Sequence, residues 1–118
     1  MSLHISKKIP KVGIDAVTIK RVKKIISSGN LHAMKKLFMD SEIEYSSSFK
    51  KSDVHFAGTY AAKEAVSKAL GTTLFPVISI EICHTKEGAP YACQNGTALP
   101  VSISITHTND IAIAIAIG

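Results

Sequence analysis

Residues 111–117 read Ile-Ala-Ile-Ala-Ile-Ala-Ile. A two-residue period puts every isoleucine on one face of a strand and every alanine on the other. Residues 101–107, Val-Ser-Ile-Ser-Ile-Thr-His, alternate in the same way, and Thr108-Asn109-Asp110 turns the chain between them. Two facing runs joined by a short polar turn predict a hairpin. The small side chains of its alanine face leave room for a helix.

That helix is expected over residues 54–70, rich in alanine and glycine, with Phe56, Tyr60, Val66 and Leu70. Small residues let a helix approach a neighbouring backbone closely. Ser52 or Asp53 can cap its start, and Gly71 can end it in the left-handed conformation. Upstream, residues 9–15 read as a strand beginning near Pro10, where a missing N–H costs least. Residues 17–27 read as a basic helix and residues 31–38 as a short second helix. Asp40 or Ser41 is a candidate cap for a further turn through Tyr45, and Ser46-Ser47-Ser48 reads as the most flexible spot. Residues 77–83 alternate like a strand, residues 87–90 turn, and residues 91–93 give a short strand.

At 118 residues the chain suits a single domain, 1–118, able to bury about two-thirds of its unfolded surface. The pattern predicts an α+β fold, a small antiparallel sheet packed on a long central helix. An apolar fraction of 46% against 19% charged residues argues against a disordered chain. No apolar run approaches the roughly 20 residues that span a bilayer. Residues 1–11 lack the apolar core of a secretory leader, and Met1-Ser2-Leu3 is given no structural weight. Two cysteines make no disulfide framework. A reduced, cytoplasmic protein without a membrane partner is expected.

Residues 1–51 hold eleven of the fourteen cations and four of the nine anions; the remainder holds three and five. A basic half suggests an acidic partner, although a solvated lysine surface explains charge equally well. The sole arginine, Arg21, weighs against a reader of base edges, which relies on arginine. No nucleic-acid partner is expected.

Several polar residues could carry chemistry. Asp15 closes an apolar run after Gly13-Ile14, where a carboxylate either faces a cleft or caps the next helix. Glu64 precedes Lys68 by four residues, the favourable order for a surface ion pair. Two carboxylates from separate elements can also hold Mg²⁺ together with water and substrate phosphates. His107 ends a strand beside Thr106, Thr108 and Asn109, as a hydrogen-bonded loop residue or a functional one. Cys83-His84 with Cys93 lacks zinc spacing. No P-loop, Gly-x-Ser-x-Gly or His-Glu-x-x-His pattern is present.

Three segments together carry a resemblance. They are Gly-Ile-Asp-Ala-Val-Thr-Ile-Lys-Arg-Val at 13–22, Phe-Ala-Gly-Thr-Tyr-Ala-Ala-Lys-Glu-Ala-Val-Ser-Lys-Ala-Leu-Gly at 56–71, and Val-Ser-Ile-Ser-Ile-Thr-His-Thr at 101–108. In this order they resemble the holo-acyl-carrier-protein synthases of the 4′-phosphopantetheinyl transferase superfamily. Residues 38–42 and Gly88-Ala89-Pro90 echo further family segments weakly. The resemblance implies a homotrimer with active sites between protomers. It implies transfer of 4′-phosphopantetheine from coenzyme A to a serine of apo-acyl carrier protein, releasing adenosine 3′,5′-bisphosphate.

By motif position Asp15 and Glu64 would ligate Mg²⁺, and Lys68 and Lys63 would contact phosphate, with Asp15, Glu64 and Lys68 as the catalytic set. His107 and Thr108 would lie near the coenzyme A nucleotide. Arg21, with Lys20 and Lys24, would meet the acidic carrier. Thr59 stands where the family usually has arginine and Ala89 where it has lysine, and the loop after Gly71 is poorer in glycine than usual. Those departures are what a non-catalytic paralogue of the same fold would show. A small basic nucleic-acid-binding domain is the third reading; the lack of an aromatic stacking platform disfavours it.

Overall fold

The computed structural model describes residues 9–118; the reading of Met1-Ser2-Leu3, and most of that of residues 1–11, lies outside the described residues. The hairpin and the alanine-rich helix form as the sequence patterns require. β1 (Val12–Thr18) leads into three helices, α1 (Ile19–Ser27), α2 (Leu31–Leu37) and α3 (Asp40–Ser47). The long helix α4 (Ser52–Leu70) follows, then a single 3-10 turn (Val77–Ser79) and five strands. These are β2 (Glu81–His84), β3 (Pro90–Gln94), β4 (Thr97–Ala98), β5 (Ser102–His107) and β6 (Ile111–Ile117). They build two antiparallel three-stranded sheets, ordered β1-β6-β5 and β2-β3-β4. No helix among the described residues is long and apolar enough to cross a membrane.

In the first sheet β6 is the middle strand. Ala112, Ala114 and Ala116 are fully buried, as are Phe56, Ala57, Ala61, Ala62, Ala65 and Val66 of α4. Such small side chains bring the helix close to the strands. At Gly13 of β1 a Cβ would lie 1.9 Å from the Ala65 carbonyl oxygen, so only glycine fits. Isoleucines 111, 113, 115 and 117 take the opposite face.

Four expectations need correction. β1 starts later than residue 9 and runs on through Thr18, because all seven residues pair with β6, from Val12–Ile117 to Thr18–Ile111. The strand expected at 77 begins at Glu81; the Ser79 N–H and hydroxyl both donate to the Pro76 carbonyl and curl the chain first. Ser46-Ser47-Ser48 is no loop, since Ser46 is buried inside α3. Neither Ser52 nor Asp53 caps α4, whose N-cap is Lys51. Gly71 does stop α4, at φ +107°, open to glycine alone.

One buried ion pair ties three elements together. Lys63 Nζ of α4 donates to Glu42 Oε1 of α3 at 2.6 Å, with both side chains fully buried. The same carboxylate accepts the Met39 and Ile82 N–H groups at 2.8 Å each. Burial pulls the Lys63 ammonium down from its ordinary range, opposed by the Glu42 charge. Removing one partner of such a pair leaves an uncompensated buried charge. Lys63→Met is therefore expected to cost about 3–5 kcal/mol, and Lys63→Met with Glu42→Leu distinctly less. Urea midpoints at constant m-value measure both. A single variant within about 1 kcal/mol of the parent would show the pair to be dispensable.

Candidate active site

The face of α4 that meets β1 carries Tyr60, Glu64 and Lys68, spaced four residues apart and hence stacked along one side. Alternation in β1 turns Gly13, Asp15 and Val17 toward that helix. Lys68 Nζ donates to Asp15 Oδ1 at 2.9 Å and to the Ile14 carbonyl at 3.0 Å. The local Glu64–Lys68 pair expected from spacing is thus replaced by Asp15–Lys68, across fifty-three residues of sequence. Asp15 is the more sheltered member, its side chain 18% exposed against 48% for Lys68.

The Tyr60 hydroxyl reports what surrounds it. Burial first, then the neighbouring Glu64 carboxylate and the charge of Asp15, push it above the ordinary phenol range, while Arg21 pulls the other way. Charges from three elements, Asp15, Glu64 and Arg21, thus act on this hydroxyl, Glu64 most strongly. Tyr60 read in the sequence only as an apolar helix position. No third carboxylate, histidine or cysteine joins Asp15 and Glu64 in a metal-holding group among the described residues. The donor set suits Mg²⁺, which takes one or two protein carboxylates and fills its remaining positions with water and substrate phosphate. Lys68 holds Oδ1 of Asp15 only, and Glu64 receives no hydrogen bond from a protein N–H among the described residues.

Two grooves flank this centre. One, of about 660 Å³, runs along α1 and is lined by Lys20, Arg21, Lys23 and Lys24, with Asp53 and Asp110. The three expected partner-binding cations share it. The other, of about 350 Å³, lies along β5, the far edge of the sheet from β1, and gathers His55, Thr59, His84, Gly88, Pro90 and His107. It brings His107 together with position 59 and with the turn around Ala89, the two places where a basic residue of the family pattern is missing. His107 Nδ1 lies 3.1 Å from the Thr108 carbonyl. Thr108 serves the β5–β6 turn: its hydroxyl oxygen accepts the Asp110 and Ile111 N–H groups, each at 3.1 Å.

His55 and His84 carried no signal in sequence, since they come from α4 and β2 and meet only in the fold. The His55 ring stacks on Phe49 at 3.6 Å and the His84 ring on Tyr45 at 3.9 Å. Both imidazoles are held below their ordinary pKa, first by burial, then by His107 acting on His55 and by His55 acting on His84. Lys63 does not fit its expected phosphate contact: its ammonium is fully buried and committed to Glu42. It lies one residue from Glu64, about 100° round α4, and turns inward where Glu64 does not.

The family model described as the 4′-phosphopantetheinyl transferase superfamily matches residues 11–116. A holo-[acyl-carrier-protein] synthase of Thermoanaerobacter sp. (strain X514) is 40% identical over 120 residues, covering 91% of this chain and 86% of the relative. One from Clostridium perfringens (strain ATCC 13124) is 37% identical, covering 87% and 88%. Among solved structures, a holo-(acyl-carrier-protein) synthase from Bacillus anthracis in complex with coenzyme A (3′,5′-ADP) superposes with TM-score 0.75 at 27% identity, covering 91% and 93%. The Helicobacter pylori holo-[acyl-carrier-protein] synthase in complex with coenzyme A gives 0.76 at 28%, covering 91% and 99%.

Proposed function

The chain belongs to the 4′-phosphopantetheinyl transferase superfamily, and on that premise we propose that it transfers 4′-phosphopantetheine from coenzyme A to a serine of an apo-acyl carrier protein. The observation that carries the reading is the Lys68–Asp15 pair between α4 and β1, with Glu64 one helical turn before Lys68 on the same side of α4. Phosphoryl transfer asks a protein chiefly for positioning and charge neutralisation. Asp15 and Glu64 are the residues to hold Mg²⁺, which when bound supplies positive charge at the pyrophosphate oxygens.

Lys68 adds a second cation beside Asp15, free to shift toward substrate phosphate. The serine oxygen bonds to the phosphorus next to the pantetheine arm, and the bond to adenosine 3′,5′-bisphosphate breaks. The serine proton passes to a base for which Asp15, Glu64 and solvent are the candidates. The groove at His107, with Thr59 and the turn around Ala89, suits the nucleotide end of coenzyme A.

A homotrimer is the favoured assembly. The carboxylates lie at the β1 edge of the sheet and His107 at the β5 edge, with β6 between them, so a second copy can bring one edge to the other. Val12, Ile14, Ile111 and Ile117 are also 36–59% exposed, an apolar face that favours cover. The Cys83 and Cys93 thiols stand 4.0 Å apart unbonded, which suits the reducing cytoplasm. No lysine or arginine among the described residues lines the His107 groove, which favours the non-catalytic paralogue, while the retained Asp15, Glu64 and Lys68 oppose it. Intact mass of an apo-carrier incubated with protein, coenzyme A and Mg²⁺, beside a chelated control, decides between them. One phosphopantetheine arm gained only with metal is expected; no gain with folded protein overturns the transferase.

The lysine-rich groove along α1 suits an acidic carrier, and charge complementarity acts mainly on encounter. Arg21→Glu is expected to raise KM for the carrier about tenfold and to leave KM for coenzyme A nearly unchanged. Steady-state kinetics with each substrate varied in turn measures the split. An equal rise in both constants would remove Arg21 from docking.

A further inference from the structure

We propose that Cys83 and Cys93 form a two-thiolate site for a soft monovalent cation of the copper(I) class. The site lies in the second sheet and is independent of the transfer chemistry above. Strand register builds it. In the β2–β3 pair Glu81 stands opposite Cys93, and Cys83 opposite Tyr91. Alternation puts these four side chains on one face and Ile82 and Ala92, both in the core, on the other. Cys83 and Cys93 are thus diagonal neighbours, and their sulfurs meet at 4.0 Å. Both are free thiols. Cys93 is buried and Cys83 half-buried, so an ion reaches the pair from the Cys83 side.

The spacing decides between an ion and a disulfide. A disulfide needs about 2.05 Å between its sulfurs, with α-carbons no more than about 6.8 Å apart. Diagonal neighbours on paired strands stand about 7–8 Å apart, so closing that bond drags β2 against β3. A metal–thiolate bond is about 2.3 Å long. Two such bonds set the sulfurs about 3.8 Å apart at the tetrahedral angle and about 4.6 Å apart in line. The observed 4.0 Å lies inside that range, and the strand ladder holds it there.

Charge and ligand count choose the ion. Burial first, then the charges of Glu81, Cys93 and Glu42, push the Cys83 thiol up to about 12. Surroundings that resist negative charge at sulfur disfavour the free thiolate that disulfide exchange needs. A cation between the two sulfurs relieves that resistance. No group of three histidine, cysteine or carboxylate ligands forms here among the described residues. Zinc takes four protein ligands, or three with water, and two thiolates fall short of both. Copper(I) is soft, prefers thiolate and accepts two ligands. Binding sends both thiol protons to solvent and transfers no electron.

Anaerobic titration of the reduced full chain with Cu(I), against bicinchoninate as competing chelator, tests the site. One ion per chain is expected, with thiolate-to-copper absorption in the near ultraviolet. The ion should also survive excess glutathione, because two thiolates fixed side by side act at high effective concentration. Stripping by glutathione would reduce the pair to ordinary thiols and overturn the proposal, with no variant needed. Cys83→Ser and Cys93→Ser, each checked for folding by circular dichroism, are expected to weaken binding by about a hundredfold or more, the upper end of what losing even a supporting partner costs. Full retention by either folded variant overturns it as well. Zn²⁺ should be lost to a chelator of matched strength; an equally tight one-to-one zinc complex sinks the choice of ion. Oxidised glutathione without metal is expected to leave the protein mass unchanged. Loss of two hydrogens there would make the pair a redox couple instead.

Discussion

Glu64→Gln is expected to lower kcat/KM at least a thousandfold in the proposed metal-dependent transfer reaction. That is about 4 kcal/mol of transition-state stabilisation, the scale on which a metal offsets charge developing at phosphate oxygens. Glutamine keeps the length and packing of the side chain and removes only the negative charge, leaving Asp15, already shared with Lys68 at 2.9 Å, as the one carboxylate at the centre among the described residues. The Mg²⁺ concentration for half-maximal rate should therefore rise as well. Thermal midpoint should stay within a few degrees of the parent, because Glu64 is only partly buried. Carrier mass followed over time at several Mg²⁺ concentrations supplies the rates. Turnover within tenfold of the parent, at the same metal requirement, would remove Glu64 from the metal site.

Gly13→Ala is expected to destabilise the fold by about 4 kcal/mol, at the upper end for a point substitution. The added carbon would sit 1.9 Å from the Ala65 carbonyl oxygen and 2.7 Å from the Ala69 amide nitrogen. Both are backbone atoms of α4, so no rotamer change makes room and the helix must lift. Lifting it also carries Glu64 and Lys68 away from Asp15, so activity should fall with stability. Gly58→Ala is the control: its Cβ meets only the Ile105 Cγ2 methyl, at 3.1 Å. A side chain can yield there, and alanine's helix propensity offsets up to about 1 kcal/mol. Urea unfolding of the three proteins gives the comparison. Equal midpoints for Gly13→Ala and the parent would mean that the close approach carries no weight.

Patterns with a short period were legible in the sequence; partners distant in sequence were not. The Ile–Ala alternation gave β6, its mate β5 and the need for a helix of small residues. The edges of β1 and β2 were misread because pairing, not local alternation, decides where a strand begins. The seven residues of β6 demand seven partners, and Pro76 curls the chain ahead of Glu81. Within Ala-Ala-Lys-Glu-Ala, both Lys63 and Glu64 read as site residues. Which of them turns inward depends on where α3 sets Glu42, twenty-one positions earlier, and no spacing rule carries that. Asp15, Glu64 and Lys68 were named from the resemblance; in the fold Lys68 pairs with the sheltered Asp15 rather than with its helical neighbour. His55 and His84 left no trace because three histidines from three elements share no motif.

The hairpin's two unlike faces also guard against misassembly. A slip of one residue in β6 would turn its isoleucines onto α4 and its alanines outward. The three alanine positions of β6 are fully buried, with no room for isoleucine. A slipped hairpin can satisfy its own ladder bonds yet cannot dock the helix, and so gains almost none of the core. Because β6 is the middle strand, the error spoils pairing on both sides at once rather than fraying one edge. The pattern that identifies the strand thus also proofreads it, making the wrong register a dead end from which the chain must unzip.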